Sequence, residues 1–158
     1  MNSMRTDQDR FSLVVDQTSL SRSSRGQVAG VIYILLNGQP FPERGWSDAV
    51  VPVLCAWLQC VRDVRLGGGR GTVHFLDGPF AVAVSGRPTG EWLVRCSRTD
   101  STTALLEGSF GSRIVLESVL SAARRIAEDL GARGWSSREL VELGLAQQKL
   151  EKLVHHRE

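Results

Sequence analysis

Between Trp46 and Arg65 the chain reads WSDAVVPVLCAWLQCVRDVR. Val50, Val53, Leu54, Trp57, Leu58, Val61 and Val64 recur there at three- and four-residue steps, the period of one helix face. Val51 and Cys55 widen the stripe until little of the first four turns can face water. A helix apolar on nearly every side belongs in the centre of a fold, so the remaining chain must supply the layers that cover it. Ser47 or Asp48 is expected to cap it through a side-chain oxygen, and Pro52 falls near the end of the first turn, where a missing donor costs least.

The covering layers are legible on both sides. Val28–Leu36 is a nearly unbroken apolar run stopped by Asn37-Gly38, which predicts an inner strand covered on both faces, and Phe11–Val15 predicts a shorter one. Residues 37–45 form a loop stiffened by Pro40 and Pro42. After the helix, the glycines at 67–71 let the chain reverse. Thr72–Leu76 and Phe80–Val84 then flank Asp77-Gly78-Pro79, a hairpin signal with a two- or four-residue loop. Either length places Val73 and Phe75 on the face of Val82 and Val84. Glu91–Ser97 continues the meander with Trp92, Val94 and Cys96 inward and Arg95 outward. Residues 98–111 read as a polar loop, with a short strand at Thr103–Glu107 as the other option.

A second helix is expected from Ser112 along Leu116, Val119, Leu120, Ala123, Ile126, Ala127 and Leu130, with Gly131 as its stop. A third opens on Ser136 and Glu139 as a capping box, with Trp135 stapled onto Leu140. Its stripe, Leu140, Leu143, Gln147, Leu150 and Val154, either packs on the same chain or joins two copies, so the chain is expected to be a monomer or a weak homodimer through this helix. The fold class is α+β: an antiparallel meander sheet of four to five strands packed with three helices in layers. Residues 1–27 are read as a polar, partly disordered segment, with 16–27 a mobile Ser- and Arg-rich loop, and 28–155 as one domain.

Net charge is +2, from nineteen basic and seventeen acidic residues spread along the chain, which argues against nucleic acid as the partner. Seventeen of the basic residues are Arg, a skew that reads as coding bias before phosphate recognition. The three cysteines, Cys55, Cys60 and Cys96, have no paired spacing and read as small buried hydrophobes in a reducing compartment. The first fifteen residues hold no apolar run of signal-peptide length, and no segment reaches the ~20 apolar residues of a membrane span, so a cytoplasmic location with no membrane partner is expected.

Chemistry-bearing groups are sparse. The glycine cluster follows a helix and precedes a strand, the reverse of a phosphate-cradling loop, and lacks its lysine. His74 sits on a strand, with the next strand expected between it and Cys96; His155 and His156 form only part of a metal set. Asp77 is first a turn residue. An enzyme or small-ligand site would have to gather His74, Asp77 and nearby arginines in one pocket. The arginines at 62, 65, 70, 87, 95 and 98 would instead form an anion-binding face only if they cluster. No cofactor, metal site or catalytic set is expected.

Asn37-Gly38, the helix start Trp46-Ser47-Asp48, Trp57, the Phe75 to Phe80 stretch and a late helix ending before Gly134-Trp135 together resemble small bacterial immunity proteins of polymorphic toxin systems. The resemblance implies a non-catalytic domain that neutralises a cognate toxin by binding it. Loops on a rigid body would then carry the contact: Gln39, Phe41, Glu43 and Arg44 in one, Asp100 and Glu107 in the other. Phe41 is either a preorganised aromatic anchor or folded back beneath the central helix.

Overall fold

The computed structural model describes residues 10–156, without the side chains of His155 and His156; residues 1–9, expected to fray, and the histidine pair fall outside the described residues. The inner strand is the spine of one sheet. β1 (Phe11–Val15) pairs antiparallel with β3 (Val28–Leu36), and β2 (Ser21–Arg22), β4 (Gln39–Phe41) and β5 (Ser47–Ala49) also pair with β3 to complete five strands. Residues 16–27 are therefore not the loose loop expected from their composition. The Asp16 carboxylate accepts the Thr18 N–H at 3.0 Å and sets a single 3₁₀ turn, Gln17–Ser19. The Ser19 hydroxyl oxygen then accepts the Val31 N–H at 2.8 Å. Leu20 is buried so close to Gly30 that a Cβ on that glycine would meet its side chain at 2.9 Å.

The second sheet is a four-stranded meander: β6 (Arg70–His74), β7 (Phe80–Gly86), β8 (Glu91–Arg98) and β9 (Ala104–Gly111). Val73 stands opposite Val82, and Val82 opposite Cys96. Phe75, Val84, Trp92 and Val94 are buried with them, while Arg95 is exposed, as the alternation requires. The polar 98–111 stretch is mostly strand, because β9 pairs with β8 from Ser97 to Glu91 across a register shift at Cys96/Ser97. Its alternation was hidden by Gly108, Ser109 and Gly111.

α1 (Val50–Asp63) lies between the sheets, in contact with β3, β5 and β6 and with both other helices. Val50, Val51, Val53, Leu54, Trp57, Leu58, Cys60 and Val61 are all buried. It leaves through a π turn over Val64–Gly68, in which Gly67 takes φ of 110° and after which Gly69 takes φ of 69°. These are conformations that a side chain would strain. β6 then runs against the helix, and a Cβ at Gly71 would lie 2.7 Å from the Cys60 carbonyl oxygen.

α2 (Ser112–Ala132) and α3 (Arg138–His156) close the remaining side. Leu143 and Leu150 are fully buried, and α3 packs on α1 and α2, so its stripe serves the same chain. The start of α3 differs from the expected capping box. The hydroxyl oxygen of Ser137, not of Ser136, accepts the Leu140 N–H at 3.3 Å. The Glu139 carboxylate instead accepts the Val28 N–H at 3.1 Å, tying helix to sheet. Trp135 and Leu140 are both partly buried against the core, and Arg133 stacks 4.9 Å from the Trp135 ring.

Candidate protein-binding surface

Asp48 is the buried charged residue among those described, with 5% of its surface exposed. It does not cap α1: Ala49 occupies that position with no side-chain bond, and Ser47 and Asp48 belong to β5. The Asp48 carboxylate accepts N–H groups from three places. Trp46 Nε1 donates at 2.9 Å, the Leu76 and Asp77 backbones at 3.0 and 3.2 Å, and the Ala49 backbone at 2.7 Å. A buried carboxylate is tolerated when donors replace the lost water, and ionic acceptors make the stronger hydrogen bonds. Asp48 thus joins the approach to α1 to the β6–β7 turn.

Four rings reinforce that joint. Trp46 meets Phe80 at 5.4 Å and Phe75 at 6.3 Å, and Phe41 meets the same two at 5.6 and 6.1 Å, all edge to face. Such pairs add about 0.5–1.5 kcal/mol each beyond their burial. Gly78 is required beneath the indole, since a Cβ there would lie 2.7 Å from the Trp46 ring. The β8–β9 turn joins the same cluster. The Arg98 guanidinium lies 5.7 Å over Phe80, and the Thr99 N–H donates to the Pro79 carbonyl at 2.8 Å.

Three turns are therefore fixed side by side, and their rim is polar. Glu43, Arg44, Asp77, Arg98 and Asp100 are exposed, together with Leu76 at 60%. Arg98 pairs with Asp100 at 3.1 Å, and that hydrogen bond and charge hold the Asp100 carboxyl below the usual carboxylate range.

The expected contact residues separate into groups. Glu43, Arg44 and Asp100 lie on this rim, and Gln39 is exposed on β4. Phe41 is 3% exposed and so is no surface anchor; it folds inward, against Phe75 and Phe80 of the meander. Glu107 is on a strand, not a loop, and pairs with Arg95 at 3.2 Å on the outer side of the meander sheet. His74 is exposed at the end of β6 and Asp77 is exposed in the following turn. Of three surface cavities among the described residues, of about 550, 210 and 280 Å³, none is lined by His74; Asp77 lines the last, beside Asp48. Sequence reasoning missed Asp48 and Trp46 as organisers of the surface. The signal was present in Trp46-x-Asp48, a donor and an acceptor on one side of an extended segment, but the adjoining helix made a cap the simpler reading.

The cysteines are placed as small hydrophobes. Burial pushes Cys60 and Cys96 up to about 12. Cys55 rises to about 11 through burial first, then the charges of Glu142 and Glu139. All three thiols are therefore expected to resist a disulfide-exchange reagent at pH 7.5 and to react together once the chain is unfolded in guanidinium. A fast-reacting thiol in the folded protein would contradict this placement. Among the described residues no group of three or more His, Cys, Asp or Glu is placed to hold a metal ion, and no helix is long and apolar enough to cross a membrane. Comparison with protein-family models, curated proteins and solved structures gives no match for this chain.

Proposed function

We propose that the chain is a non-catalytic protein-binding domain, an immunity protein that neutralises a cognate bacterial toxin by direct contact in the cytoplasm. The observation that carries this reading is the trio of turns held by Asp48 and the four-ring cluster. Their exposed charges sit on a base with little freedom left to lose, so a partner that orders them spends little of its binding energy on entropy. Glu43 and Asp100 beside Arg44 and Arg98 give a mixed-sign rim suited to a protein partner with complementary charges. The sequence resemblance points to the same role.

The reading requires a toxin among the products of the genes adjoining this one, and the test is to express each of those products alone and together with this chain. The expected result is restored growth together with a complex that co-elutes at equal stoichiometry. Undiminished toxicity in the presence of abundant folded protein would overturn the proposal.

A further inference from the structure

The largest of the three cavities shares no residue with the rim of turns. It is a depression of about 550 Å³ where α2 and α3 meet the end of α1. That volume lies in the range of small-molecule sites. Its floor includes Leu116, Leu120 and Val154, and its polar wall includes Arg65, Arg113 and Arg124.

The arginines differ in what they already hold. Arg124 is committed to Glu151, Nη2 to Oε2 at 2.6 Å. Arg113 is exposed on the first turn of α2 and has no ion-pair partner among the described residues. Arg65 is partly buried, and its Nε is fully buried with no hydrogen-bond partner among them. No hydrogen bond or ion pair among the described residues engages the Arg65 guanidinium, which leaves its charge available to an anion in the cavity it lines. Glu117 and Glu151 also line the cavity, and set against the three arginines they leave one excess positive charge. The first turn of α2 adds no acidic side chain and no side-chain cap to oppose an anion.

We propose that this cavity binds a small amphipathic monoanion, a carboxylate carrying a medium-length apolar group. The carboxylate meets Arg65 and Arg113, and the apolar group lies on Leu116, Leu120 and Val154. One net charge favours a monoanion over a multiply charged phosphate, and the apolar floor favours a ligand with a tail over a bare ion. This site is independent of toxin binding.

Octanoate is the probe, titrated into the full chain by calorimetry, with acetate and octanol as controls. Saturable octanoate binding at submillimolar concentration is expected, at least tenfold tighter than either control. Arg65→Met should weaken it tenfold or more, and Arg113→Gln, an exposed change that leaves the core untouched, by several-fold. If Arg65→Met does not fold, Arg113→Gln alone decides. No saturation by 10 mM octanoate, equal binding of octanol, or unchanged affinity in the folded variants would overturn the site; so would binding of an acidic peptide in place of octanoate.

Discussion

Trp57→Ala lowers the unfolding free energy by about 3–5 kcal/mol, and the thermal midpoint by roughly 6–20 °C for a domain of this size. The indole is fully buried at the centre of α1 and meets the Phe11 ring of β1 at 5.7 Å. Both sheets and both other helices pack on α1, so neighbours held on several sides cannot collapse into the space an alanine leaves. Trp57→Phe is the informative companion. The indole Nε1 is buried without a hydrogen-bond partner among the described residues, so phenylalanine gives up some contact area but also removes an unsatisfied donor. Its cost is expected within about 1.5 kcal/mol. Urea unfolding of the three proteins checks both values; an alanine variant within about 1 kcal/mol of the parent would mean that α1 is not the packing centre.

Asp48→Ala is expected to cost about 3–5 kcal/mol despite removing only a few atoms. The loss comes from what stays behind: the Trp46 indole N–H and the Leu76, Asp77 and Ala49 amides lose their shared acceptor. Each buried donor left unmet costs about 1–3 kcal/mol, reduced where the turn relaxes toward water. Asp48→Asn should fall between the two. Its single oxygen can keep the Trp46, Leu76 and Asp77 donors, but its amide group then faces the Ala49 N–H. Hydrogen exchange should show the loosening first at residues 75–79 in both variants. Equal stability of Asp48→Ala and the parent would remove the carboxylate from its organising role.

The sequence was most informative where one physical period acted alone. The α1 stripe from Val50 to Val61, the meander faces of Val73, Val82, Val84 and Cys96, and the α2 stripe from Leu116 to Leu130 all lie where hydrophobic spacing puts them. Two sheets instead of one could not be read, because β3 is the hub of pairings with four short segments, two of which, Ser21–Arg22 and Ser47–Ala49, are too short and polar to show a strand period. Long-range hydrogen bonds were equally hidden. Local spacing suggests a capping role for Ser47 or Asp48 and for Glu139, whereas the fold gives the Asp48 and Glu139 carboxylates to backbone groups 28 and 111 residues away. Phe41 followed the same logic: a proline-stiffened loop suggests exposure, and only the tertiary arrangement brings Phe75 and Phe80 beneath it.

The partner surface is the part most open to direct challenge. Affinity for the protein partner that the proposed function requires should be measured by calorimetry for the parent and for Glu43→Ala, Arg44→Ala and Asp100→Ala, with the thermal midpoint of each recorded alongside. Recognition through the three turns requires at least one of these exposed changes to weaken binding tenfold or more while the midpoints stay within a few degrees. Parent-like affinity in all three variants would contradict it and place the contact elsewhere on the molecule.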